Sequence, residues 1–137
     1  MTAHASSTAL EAQVCAEFAR GGVAHQHRSL RFRIRDAEDR DAPFAPAIDV
    51  RRGPILYLVE PVPTPDEGAF DRFARFLEQH SPEIVFIVVT EDSLLGEIPA
   101  AAYDEIYTAS NLAGLTRRIV EQNPDGIVRP FDKPGPR

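Results

Sequence analysis

Ala47-Ile48-Asp49-Val50-Arg51-Arg52-Gly53-Pro54-Ile55-Leu56-Tyr57-Leu58-Val59-Glu60 carries the strongest topological signal in the chain. Ala47 to Arg51 and Ile55 to Glu60, each carrying β-branched residues, flank Arg52-Gly53-Pro54. Strand formers flanking a glycine-proline break predict an antiparallel hairpin with Gly53-Pro54 as its two-residue turn. In that register Glu60 stands opposite Ala47. Asp49 shares the face of Glu60 but lies two residues nearer the turn, ~7 Å away at the usual strand rise.

Beyond the hairpin, Thr64-Pro65-Asp66-Glu67 has capping-box spacing with proline at the first helical position, and Phe70, Phe73 and Leu77 line one helical face behind it. Ile84 to Val89 is continuously apolar, as expected of a central strand covered on both faces. Asp104 to Tyr107 reads as a further short strand. Ser110 is placed to cap a last helix carrying Leu112, Leu115 and Ile119, which Asn123-Pro124-Asp125-Gly126 ends. Ahead of the hairpin, Asp36 to Pro46 is acidic and proline-interrupted and reads as a loop. Ser29 to Arg35 alternates strictly, with Leu30, Phe32 and Ile34 on one face and Arg31, Arg33 and Arg35 on the other, the pattern of a half-buried strand. Thr8-Ala9-Leu10-Glu11 starts a first helix whose Leu10, Val14 and Phe18 recur at helical period until Gly21-Gly22. The order α-β-β-β-α-β-β-α describes an α/β chain with a mixed sheet between helices: one domain over residues 1–126 and a proline-rich tail at 127–137.

Composition sets the outer limits. The chain has 137 residues, 43% of them hydrophobic and 26% charged, with a net charge of -6. A chain of this length buries roughly 70% of its unfolded surface, which argues against general disorder. The longest apolar run falls short of the ~20 residues needed to cross a bilayer. No secretory signal pattern opens the sequence, and one cysteine, Cys15, reads as a buried helix thiol, so a cytoplasmic location with no membrane partner is expected. The only lysine is Lys133, so a mechanism needing a lysine in the body of the domain has no candidate. An acidic chain is a poor non-specific DNA binder but can carry a local basic face.

The leading helix with Glu11, the hairpin ending Leu58-Val59-Glu60, the crossover helix, the buried strand running into Val89-Thr90-Glu91-Asp92, and Tyr103-Asp104-Glu105-Ile106-Tyr107 before a final helix together resemble the PD-(D/E)XK, or restriction-endonuclease-like, superfamily. Phe44-Ala45-Pro46 with Leu58-Val59-Glu60 is similar to the hairpin of Holliday-junction-resolvase-type nucleases and of transposase endonuclease subunits. The resemblance implies magnesium held by hairpin carboxylates, here Asp49 and Glu60, with Glu11 assisting the metal or water in phosphodiester hydrolysis. The motif is degenerate. Ala47 stands where the family's aspartate would, and Val62 occupies the lysine position. Arg72 or Arg75 on the following helix is the candidate replacement cation, though arginine does not exchange a proton at relevant pH.

Other readings compete at each residue. Glu60 can be a strand-end carboxylate meeting solvent, and Glu11 can be a capping glutamate. Arg28, Arg31, Arg33, Arg35, Arg51 and Arg52 can track a phosphate backbone, or the strand face can be solvated and paired with Asp36, Glu38, Asp39 and Asp41. His25-Gln26-His27 puts two imidazoles on one side of an extended segment, compatible with zinc, but no third and fourth ligand stands at recognisable spacing. No phosphate-binding glycine loop occurs. The expectation is a PD-(D/E)XK-like domain of a DNA-processing or defence system, catalytically impaired or inactive, acting as a subunit that binds DNA, a protein partner or a second copy of itself. An active magnesium-dependent endonuclease is the first alternative, and a receiver-like α/β interaction module the second.

Overall fold

A computed structural model describes residues 8–80 and 83–122. Helix α1, Ala9–Arg20, is capped by Thr8, whose hydroxyl accepts from the Glu11 amide at 3.0 Å. It ends at Gly21-Gly22, where Gly22 adopts φ +74°, a conformation that favours glycine. The chain then turns back into a two-residue strand β1, Gln26–His27.

Strands β2 (Phe32–Arg35) and β3 (Asp41–Phe44) follow, then β4 (Ile48–Arg52) and β5 (Ile55–Val62). The register Ile48↔Val59 through Arg52↔Ile55 is the one expected from the sequence, closed by Gly53 at φ +60°. Helix α2 (Glu67–Gln79) crosses over to β6 (Ile84–Thr90), which runs parallel to β5. Short 3-10 turns at Asp92–Glu97 and Ala100–Ala102 lead to β7 (Glu105–Thr108), parallel to β6, and a turn at Ala109–Asn111 enters α3, Leu112–Val120. The mixed sheet has the order β1-β4-β5-β6-β7. Because β4 and β5 form an antiparallel hairpin, the strand-helix opening of a receiver-like module is not formed here.

Alternation along the central strands divides the core into two layers. Ile55, Tyr57, Val59, Val85, Ile87 and Val89 face α1 and α3. Leu56, Leu58, Phe86 and Val88 face α2. The uninterrupted apolar run of β6 is thus buried on both sides, as a strand between helical layers must be. The α2 layer is an aromatic cluster in which Phe44, Phe73, Phe76 and Phe86 meet at centroid distances of 5.0 to 6.0 Å.

Four local expectations are corrected. Ser29 to Arg35 does hold a half-buried strand, but it is β2, and it pairs with β3 in a separate ribbon packed on α2; the main sheet begins instead with β1. The stretch expected as a loop from Asp36 to Pro46 contains β3, because Pro43 sits in a two-stranded ribbon whose strands are both edges, where a missing amide donor is tolerated. The connecting turn is held by Asp36, whose carboxylate accepts from the amides of Glu38 and Arg40 at 2.9 Å. The cap of α2 is Asp66, not Thr64: its carboxylate accepts from Ala69 N at 3.1 Å. Asn111, not Ser110, precedes α3, and the Ser110 amide instead donates to Asp92 at 3.3 Å. Asn123 to Gly126 and the tail lie outside the described residues. Among the described residues no helix is long and apolar enough to cross a membrane.

Candidate functional site

The hairpin brings its acidic residues to the end away from the Gly53-Pro54 turn. Glu60, at the far end of β5, points its carboxylate back across the ladder, where the Ala47 amide donates to Oε1 at 2.6 Å. Burial pushes the Glu60 carboxyl up to about 7; the Ala47 hydrogen bond and the charges of Arg28 and Arg72 oppose that rise, while Glu11 adds to it. Glu60 therefore holds a proton well above the usual carboxylate range.

Asp49 does not join it. The β4–β5 register runs unbroken from Ile48 to Arg52, so Asp49 stands opposite Leu58 with no bulge to bring it level with Glu60. Its carboxylate accepts from Ser29 Oγ at 2.7 Å. Val62, at the position of the family's lysine, is buried in the α2 layer.

Glu11 is 1% exposed, and its carboxylate reaches across from α1 to the segment after β1. Both oxygens take the Arg28 guanidinium, at 2.9 and 2.8 Å, and Oε2 also meets His27 Nδ1 at 2.6 Å. Thr8 supplies one half of the expected capping box, while the buried carboxylate of Glu11 anchors an ion pair with the partly exposed Arg28. Arg28 has φ +51°, unusual for a residue with a side chain, and its amide donates to Ala47 O at 3.0 Å. The Arg28 side chain, 39% exposed, lays its guanidinium on the buried Glu11 carboxylate, and its charged form is favoured by Glu11 first and by Glu60 as well. Glu11, Arg28, Ala47 and Glu60 thus form one connected group at the sheet end.

A cleft of about 380 Å³ opens beside this group, lined by Glu60, Val62, Thr64, Asp66 and Arg72 among others. Of the two candidate cations on α2, Arg72 lines the cleft; Arg75 is held by Asp71 at 2.9 Å.

The proposed phosphate-tracking arginines separate into three groups. Arg31 and Arg33 are exposed on the ribbon and make no ion pair among the described residues, and Arg51 is exposed on β4. Arg35 pairs with Asp39 and Asp41, as the solvated-face reading foresees. Arg28 and Arg52 are turned to other work: Arg52 donates to the carbonyls of Val120 and Gln122 at 2.7 and 3.2 Å and ties the hairpin turn to the end of α3.

One further cluster escapes a reading of the sequence, and another is only half visible there, as the His25 and His27 pair. Arg118 on α3 grips Glu105 through two nitrogens, at 3.0 and 2.9 Å, and donates to Tyr57 Oη at 2.8 Å, joining α3, β7 and β5. Cys15 on α1 meets His25 Nε2 at 3.3 Å, with His27 adjoining. Burial, reinforced by the charge of Glu11, pushes the Cys15 thiol up, which disfavours a thiolate nucleophile.

Magnesium fits this constellation poorly. The carboxylates that would have to converge on one ion are individually spent on Ala47, Ser29, His27 and Arg28, and a guanidinium already stands against Glu11. Comparison with family models, with curated proteins and with solved structures returns no match.

Proposed function

We propose that the chain is a PD-(D/E)XK-like domain whose cation site has been taken over by its own arginine, and that it serves as a non-catalytic, DNA-contacting subunit of a DNA-processing or defence assembly. The observation that carries this reading is the Glu11–Arg28–Glu60 group. Arg28 brings the positive charge that the family draws from metal, and it does so from a strained backbone position that the Ala47 carbonyl holds in place. The topology supports the ancestry: an antiparallel hairpin whose second strand runs parallel to the next through a crossover helix, with a helix carrying Glu11 packed on the far face. The motif positions support the loss of chemistry, since Ala47 offers no ligand and Val62 is core. Arg31 and Arg33 give an acidic chain the exposed guanidinium pair that phosphate contact requires.

A second reading, an active magnesium-dependent endonuclease, draws on the cleft shared by Glu60 and Arg72. Cleavage assays on linear and branched DNA with Mg²⁺ or Mn²⁺ separate the two. The proposal expects no cleavage, together with salt-sensitive DNA binding that weakens in an Arg31→Glu, Arg33→Glu double variant. Metal-dependent cleavage that disappears in a folded Glu60→Gln variant would overturn it in favour of the enzyme.

A further inference from the structure

The Gly21-Gly22 turn folds the segment after α1 back along the helix, and β1 joins the sheet beside β4 in the register His27↔Ile48. Glu11 and Cys15, one helical turn apart, lie on one side of α1. His25 and His27, two residues apart on an extended segment, lie on one side of β1. The fold brings these two faces together. Cys15 Sγ lies 3.3 Å from His25 Nε2, and the donor atoms of Cys15, His25 and His27 all fall within 4.8 Å of one another. Around a tetrahedral zinc ion, with Zn–S near 2.3 Å and Zn–N near 2.1 Å, neighbouring donors sit roughly 3.5 Å apart, so the cluster needs only small side-chain movements to close on an ion.

The second ring nitrogens are already committed in the way metal-ligating histidines require. His25 Nδ1 lies 3.0 Å from the Val23 carbonyl, and His27 Nδ1 lies 2.6 Å from the Glu11 carboxylate. An acceptor at Nδ1 fixes the hydrogen of a neutral ring there and leaves Nε2 as the nitrogen that carries the lone pair. Glu11 is in turn held by Arg28, so the carboxylate orienting His27 is itself fixed. The rings are also braced, His25 edge-on to Phe18 at 5.3 Å and to His27 at 5.2 Å.

We propose that Cys15 Sγ, His25 Nε2 and His27 Nε2 form a binding site for one tetrahedral divalent transition-metal ion of the zinc class. Glu11 is its positioning residue. Among the described residues no fourth side chain completes the set, which leaves one coordination position for water or a small anion. The site is independent of the hairpin reading and stands if the nuclease ancestry fails.

Cobalt(II) titration of metal-stripped protein tests it. One equivalent is expected to give intense visible d–d bands of tetrahedral cobalt and a near-ultraviolet thiolate-to-cobalt band, both erased by one equivalent of zinc. Cys15→Ser, nearly isosteric and checked for an unchanged fold by circular dichroism, is expected to lose the thiolate band; His25→Ala is expected to lose the tetrahedral spectrum. Glu11→Gln weakens affinity by ~10- to 100-fold while retaining the thiolate band, the signature of a residue acting through His27. Weak octahedral spectra without a thiolate band, no binding, or binding unchanged in both Cys15→Ser and His25→Ala would each overturn the proposal.

Discussion

Glu60 makes the stability of the domain fall as pH rises through neutrality. Its carboxyl is lifted from 4.5 to about 7 in the folded chain, chiefly by burial, with Arg28, Arg72 and the Ala47 amide pulling it down and Glu11 pushing it up. The folded protein therefore holds this proton over a range where the unfolded chain has released it. With fewer protons bound in the unfolded state, unfolding free energy decreases with pH, starting near 4.5 and completing above about 7. At about 1.4 kcal/mol per unit, the whole contribution is roughly 3 kcal/mol. The stabilisation is fully present below the unfolded value and gone above the folded one. Glu60→Gln keeps an oxygen for the Ala47 amide and removes the titration. Urea denaturation of both proteins from pH 4 to 9 isolates the effect, because other groups cancel in the difference. The wild type is expected to lose roughly 3 kcal/mol relative to the Gln variant across that window. A flat difference, or one rising with pH, would show that Glu60 is ionised in the folded chain and would refute the burial argument.

The α2 layer depends on one ring more than others: Phe76 is 1% exposed and meets Phe32, Phe44 and Phe86, so Phe76→Ala should cost about 3–5 kcal/mol by denaturant midpoint at unchanged m-value. At Gly21 an added Cβ would come to 2.4 Å from Thr116 Cγ2 on α3, so Gly21→Ala should separate α1 from α3 and cost about 1–3 kcal/mol, whereas Gly21→Ala with Thr116→Ser should recover part of the loss. Arg118→Met removes the grip on Glu105 and the bond to Tyr57 while keeping the apolar stem; with both charged partners about a third exposed, water softens the loss to roughly 1–2 kcal/mol, read as a lowered melting temperature.

How much of this was legible depends on whether the deciding contacts are local. The hairpin register could be read because Gly53-Pro54 fixes the turn and the apolar pattern fixes the faces. The burial of β6 could be read because six consecutive apolar residues admit no solvent face. The ribbon could not, since Pro43 reads as a breaker unless it is known that its strand has only one neighbour. The arginine alternation was visible, but which arginine pairs with a buried group was not: Arg28 is held by a glutamate on α1 seventeen residues earlier in the chain. The Cys15, His25 and His27 cluster was half visible. The paired imidazoles could be seen, and the missing partner was a thiol ten residues back that only the reversal at Gly21-Gly22 brings alongside. A glutamate and a cysteine at helical spacing, a double glycine, then histidines at strand spacing is the signal that would have found it.

Glu11 is where the two proposed sites meet, and a double-mutant cycle with Arg28 tests whether the guanidinium stands in for a cation. Arg28→Met keeps the stem and the positive φ, so backbone strain cancels and the loss reports the charge. Glu11 is buried while the Arg28 side chain is 39% exposed. Removing one partner of a fully buried pair costs about 3–5 kcal/mol, and the water reaching Arg28 should reduce that to about 2 kcal/mol. Glu11→Gln in the Arg28→Met background should then be nearly neutral, giving a coupling of about 1–2 kcal/mol. If Arg28 supplies the charge that metal supplies in the family, stripping it should also leave the buried Glu11 carboxylate without its guanidinium, and millimolar Mg²⁺ should raise the melting temperature of Arg28→Met while leaving the wild type unmoved. Additive single effects, or equal metal responses in both proteins, would sink the idea that an arginine has replaced the ion.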